Sequence, residues 1–150
     1  MANEQKMAFA SATTVISLTA SVTDDNIGGG TTELDNSTDL YPLAIAVFNN
    51  PDTFGAAPDD RSTVDLYMVR NDTDGTDDDT SAPTGTDVEG AELVGSFVIY
   101  DADEEQRNSF TFSLLGVKKA DFYIKNNTGQ SIVYSSGAIT VKVTPFTIGT

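Results

Sequence analysis

Histidine, cysteine and tryptophan are all missing from this chain. Without histidine, the side chain that most often moves protons near neutral pH is gone. Without cysteine there is no thiolate nucleophile, no disulfide and no zinc–thiolate site. These absences argue for a protein that is not an enzyme and takes no cofactor. The fold must then stand on its core alone, which 150 residues with 39% hydrophobic content allow as one domain. A chain without disulfides also suits a reducing compartment.

Long apolar runs are missing too. The longest, Leu43-Ala44-Ile45-Ala46-Val47-Phe48, is far below the roughly 20 residues a membrane helix needs. The start, Met1 to Ala10, lacks a basic segment followed by an apolar one, so no signal peptide is expected and synthesis in the cytoplasm is. Positive charge is scarce: eight Lys and Arg stand against 23 Asp and Glu, a net charge of −15. Nucleic acid and anionic membranes are therefore disfavoured as partners, because both are held by Lys and Arg. Asp outnumbers Glu 17 to 6. That ratio suits a salty habitat, but most of the Asp falls in turn segments, where its carboxylate bonds nearby backbone, and turn chemistry is the better account. Like charge also keeps a crowded assembly soluble.

What the chain does have is alternation. Ile16, Leu18, Ala20 and Val22 share one face of a strand starting at Thr13, with Ser17, Thr19, Ser21 and Thr23 on the other. A loop with Gly28-Gly29-Gly30 follows, read as a flexible connection. A second strand, about Thr38 to Phe48, is apolar on both faces and expected to be central, with Pro42 tolerated near its start. The third puts Val64, Leu66 and Met68 inward against Thr63, Asp65 and Tyr67. The fourth, Glu92 to Tyr100, points Leu93, Phe97 and Ile99 inward. Phe110, Phe112 and Leu114 mark the fifth, and Phe122 and Ile124 the sixth. Asn126-Asn127-Thr128-Gly129 signals a hairpin. Short strands near Ile132 to Tyr134 and Ala138 to Thr144 complete eight. Eight short strands without an amphipathic helix predict an all-β fold, a single antiparallel β-sandwich of jelly-roll type over residues 13–150. Residues 1–12 read as an extended arm. It can add to a neighbour's sheet edge, with Lys6, Met7 and Phe9 as its partner-binding residues.

Candidate chemistry is thin. The loop Asn71 to Asp79 carries oxygen ligands of the kind calcium prefers. Setting Gly75 on the glycine of an EF-hand loop places Asp72 and Asp74 well, but puts Arg70 on the first ligand position and Ser81 on the last. An acidic, solvated turn fits better, and no metal site is expected. Asp101-Ala102-Asp103-Glu104-Glu105 supplies neighbouring carboxylates, yet glycoside hydrolysis needs two set across a cleft. The three Asn-x-Ser/Thr triplets, at Asn36, Asn71 and Asn126, read as incidental without a secretion signal.

Three segments carry a resemblance. Thr32-Glu33-Leu34-Asp35-Asn36-Ser37-Thr38-Asp39-Leu40-Tyr41, then Ser62-Thr63-Val64-Asp65-Leu66-Tyr67, then Phe122-Tyr123-Ile124-Lys125-Asn126-Asn127-Thr128-Gly129-Gln130 resemble, in order and spacing, small structural proteins of tailed bacteriophage virions. The likeness spans about residues 10 to 145, and the Asp-rich insertion near Asp77 departs from it. It implies a capsid decoration, or cement, protein on the capsid exterior. Its partners would be the major capsid protein and copies of itself, as a homodimer or homotrimer. A host- or glycan-binding module of a tail tip or head fibre is the alternative, with Phe54 as its loop aromatic. A tail or connector subunit is a further one.

Overall fold

A computed structural model describes residues 6–71 and 82–149. Ten strands form two antiparallel sheets packed face to face, and no helix occurs among the described residues. In chain order they are β1 (Lys6–Phe9), β2 (Thr13–Leu18), β3 (Ile27–Gly29), β4 (Leu34–Asp35), β5 (Leu43–Asn50), β6 (Thr63–Asn71), β7 (Glu92–Val98), β8 (Gln106–Ser113), β9 (Lys119–Asn127) and β10 (Ile139–Gly149).

Each sheet has five strands, but two of the five lie end to end along one edge. β1 and β2 both pair with β10, and β3 and β4 both pair with β9. Four rows per sheet result: β1/β2–β10–β5–β8 and β3/β4–β9–β6–β7. Counted along the chain, the first row pairs with the eighth, the second with the seventh, the third with the sixth and the fourth with the fifth. That is one long hairpin rolled up on itself, the jelly-roll topology. The expected β-sandwich is present and has eight rows, but only seven of the expected strands supply them. Ile132 to Tyr134 holds isolated bridges at Ile132 and no strand, while the β3/β4 row lies where a loop was expected.

The core lies between the sheets. Ala44, Ala46, Phe48, Val141, Val143 and Phe112 face inward from the β10 sheet, and Val64, Leu66, Met68, Phe97, Phe122 and Ile124 from the β9 sheet. Rings stitch the two together: Phe48 to Phe97 at 5.5 Å, Phe97 to Phe110 at 4.7 Å and Phe112 to Phe122 at 6.0 Å between centroids. Gly95 makes this possible. A Cβ there would stand 2.5 Å from the Phe110 ring, so only glycine lets that ring lie on the β7 backbone.

Two bulges displace the expected alternation. Ile16 pairs with Val141 but Thr14 with Lys142, which leaves Val15 as an extra residue and buries Val15 and Ile16 consecutively. Beyond Leu18 the strand stops, and Ala20 is exposed rather than inward. In β7, Leu66 pairs with Gly95 and Tyr67 with Leu93, so Val94 is extra and Leu93 turns outward, against the expected inward position. Both bulges sit on edge rows, where they disrupt an otherwise open template for aggregation.

Other expectations needed correcting. The segment expected as a flexible glycine loop is partly strand: Ile27 to Gly29 pair with β9, and a Cβ on Gly29 (φ 149°) would lie 2.5 Å from the Phe122 carbonyl oxygen. Asn126 and Asn127 end β9 and the chain bends at Thr128 to Gln130, but no two-stranded hairpin forms, because Ile132 bridges to Val22 and Phe54 instead. The second strand begins at Leu43, not Thr38, since residues 36–41 form a turn held by Asn36. Pro145 lies inside a central row. Its carbonyl accepts from Ala10 N on the β1/β2 side, so its missing N–H falls in the gap between those two strands.

Candidate docking face

Alternation along β5 settles the outer surface of the β10 sheet. Ala44, Ala46 and Phe48 point into the core, so Leu43, Ile45, Val47 and Asn49 point out, half-buried. The register places Lys142 and Ser109 on either side of Val47, and Thr140 and Arg107 on either side of Asn49. Further along, Ile45 lies between Thr144 and Thr111, and Leu43 between Phe146 and Ser113. The surface is an aliphatic stripe on the middle row, bordered by hydroxyls.

The arm continues this face. Residues 6–9 pair with 146–149 of their own chain, Met7 opposite Ile148 and Phe9 opposite Phe146. Phe9 covers Phe146, with ring centroids 5.4 Å apart, and this leaves Phe146 only 3% exposed. Met7, Phe9 and Ile148 themselves remain about half exposed, at 51%, 52% and 50%. They form an apolar ribbon beyond the end of β5, whose pairing with β10 stops at Phe146. Lys6, Met7 and Phe9, expected as an arm's contact residues, are thus an exposed edge strand of the sandwich.

Charge separates this face from the other. None of the 23 acidic residues lies in β1, β2, β5, β8 or β10, whose charged side chains are Lys6, Arg107 and Lys142. The strands of the β9 sheet carry Asp35, Asp65, Glu92 and Asp121 beside Arg70, Lys119 and Lys125. Those charges are tied up. Lys125 Nζ is 2.8 Å from Asp25 Oδ1, and Lys119 Nζ is 3.0 Å from Glu33 Oε1. Asn71 Nδ2 donates to both Glu33 and Asp121, Asn127 Nδ2 donates to Asp65, and Arg70 donates two bonds to Glu92. The Asn71 and Lys119 bonds hold the Glu33 carboxyl below its ordinary value, and the Glu33 bond raises Lys119. Tyr123, opposite Tyr67 at the centre of that face, is raised by burial and by Asp121.

Arg107 and Lys142, by contrast, have no carboxylate partner among the described residues. They line a shallow recess of about 190 Å³ with Val47, Asn49 and Thr140.

Residues singled out in the sequence turn out to be fasteners. Asn36 and Asn126 are buried: Asn36 Nδ2 donates to the carbonyls of Tyr41 and Val117, and Asn126 Nδ2 to those of Val22 and Gln130. Neither amide is open to a glycan. In the acidic turn, Asp103 accepts from Phe54 N at 2.8 Å, the Gln106 amide clamps Tyr100 and Ala102, and Glu104 and Glu105 are exposed. Phe54 is buried, and Tyr100 is the exposed aromatic beside this turn. Among the described residues no group of three or more acidic side chains is arranged to hold a metal ion. The Asp72 to Asp79 stretch lies outside the described residues.

Asp52 was not anticipated. Its carboxylate accepts from the backbone N–H groups of Ser135, Ser136 and Gly137 and from both serine hydroxyls. The Ser136 and Ser135 bonds, strongest first, hold it far below the usual carboxylate range. Its sequence signal was slight: an Asp after Pro51, and a distant Ser-Ser-Gly turn. The acid-free face was more visible, since the strand segments themselves contain no Asp or Glu.

No protein-family model matches the chain, and no curated protein matches it.

Proposed function

We propose that this chain is a non-enzymatic virion structural protein that binds the outer surface of a bacteriophage capsid and stabilises it. The observation that carries the reading is the asymmetry of the sandwich: a protein of net charge −15 keeps one whole sheet free of acidic residues and lays an aliphatic stripe along it. An aliphatic stripe cleared of acidic residues, in a strongly acidic protein, fits a protein-binding surface. The acidic remainder then faces solvent, where like charge keeps densely decorated particles apart. A rigid two-sheet body suits a part that must bridge subunits without deforming.

The apolar ribbon of Met7, Phe9 and Ile148 supports contact with a second subunit, either the major capsid protein or another copy in a homodimer or homotrimer. Resemblance to small virion proteins supplies the shell as partner; the fold alone does not, since jelly rolls serve many functions.

The test is deletion of the gene from the parent phage. Heads should assemble but release DNA at lower temperature or on chelation, and heads of unchanged stability would refute the proposal. Copy number separates it from the tail-tip reading: hundreds per virion for a decoration protein, a handful for an adhesin. Glycan binding would draw on exposed aromatics, of which the turn at 99–105 supplies Tyr100 alone.

A further inference from the structure

Resting on the docking reading above, we infer that the recess between Arg107 and Lys142 is an anion site that receives a side-chain carboxylate from the protein covering the β10 sheet. The two cations stand on β8 and β10, flanking β5, two residues out of line, so their backbones are roughly 12 Å apart. Side chains of that length reach toward each other over Asn49 and Val47, and the recess they bound has Thr140 at its wall. The Thr140 hydroxyl and the Asn49 amide add donors to two charges.

Both cations contrast with those on the strands of the β9 sheet. On the β9 sheet each strand cation meets a carboxylate of its own chain at 3.0 Å or less. On the β10 sheet, in a chain with nearly three acids for each base, two neighbouring cations meet none among the described residues. Leaving them unpaired beside an apolar stripe provides for a partner's charge to be neutralised as the face is covered. Arg suits this role because its fork holds a carboxylate at two points. The surrounding negative charge disfavours small free anions, so a carboxylate carried in by a protein surface, held by the apolar contacts beside it, is the ligand the site favours.

The probe is a capped hexapeptide of alternating Asp and Glu, titrated into the isolated ¹⁵N-labelled chain at low salt. Shifts should saturate and be confined to Val47, Asn49, Arg107, Thr140 and Lys142. The double variant R107Q/K142Q should bind at least tenfold more weakly with an unchanged melting midpoint, while K118Q, in the loop before β9, should bind like the parent. No saturable shift, equal losses in both variants, or tighter binding of inorganic phosphate than of the peptide would each overturn the inference. On decorated particles, R107Q/K142Q should wash off at lower salt than the parent. Equal retention would overturn the shell carboxylate while leaving the decoration reading intact; peptide binding by a chain absent from purified heads would do the reverse.

Discussion

The two outer faces of this sandwich are made from strands of similar length and equal numbers of cations, and they differ in what those cations do. On the β9 sheet, Arg70, Lys119 and Lys125 are each spent on a carboxylate of the same chain, and the face is complete as it stands. On the β10 sheet, Lys6, Arg107 and Lys142 have no such partner among the described residues, and β5, with Leu43, Ile45 and Val47, runs between the strands that carry Arg107 and Lys142. The lesson is that net charge does not describe this surface. Among the described residues most of the acidic side chains lie between the strands, and the strands of one sheet carry none.

The strongest way to break the comparison is to make the faces alike. An I45D substitution puts a carboxylate in the middle of the acid-free stripe and should weaken attachment to the shell on the order of 100-fold, because a buried unpaired charge costs several kcal/mol at an interface. The matching change on the other face, S96D, should leave attachment unaltered. Pelleting assays with purified heads read both. Next in size is the joint between the sheets. G95A forces the Phe110 ring off β7 and should cost about 1–3 kcal/mol in denaturant unfolding, the range for overpacking a filled core.

How far the sequence reveals all this depends on the element. Alternation located the core of β6 correctly, because β6 pairs with β9 in an unbroken ladder and the extra residue in its pairing with β7 belongs to β7, so Val64, Leu66 and Met68 keep one face. It misplaced Leu93, because the extra residue Val94 puts Leu93 out of phase with Phe97 and nothing in the local composition marks a bulge, and it misplaced Ala20, because the strand ends at Leu18. The turns were less legible: Thr38 to Tyr41 was expected as strand and Asn126 to Gly129 as a hairpin. Nothing local shows that Asn36 and Asn126 are buried and make three or more hydrogen bonds each, one of them to a distant part of the chain. Asp52 was hidden, since its partners lie more than 80 residues along the chain. The docking face needed the topology: only pairing β2, β5, β8 and β10 shows that the acid-free segments form one surface.

Smaller effects sharpen the contrast. Asp52 has a folded pKa below its ordinary value of 3.8, so its stabilising effect is complete above that pH and fades as pH falls through the folded value. D52N should lower the melting midpoint by a constant amount from pH 7 to about pH 5, and the gap to the parent should close below pH 4. A gap that widened in acid would mean the sign is wrong. Smallest of all are single cations. K125M strands Asp25 and should cost up to about 1 kcal/mol, the usual range for exposed pairs, and less at 0.5 M salt. R107M removes no pair among the described residues and should leave unfolding unchanged.

Cryo-electron microscopy of purified heads bearing this chain tests the central claim most directly. The account predicts the β10 sheet turned toward the shell, with Leu43, Ile45 and Val47 covered and Asp65, Tyr67 and Tyr123 in solvent. Density with the β9 sheet against the shell, or the chain confined to the tail tip, would contradict it.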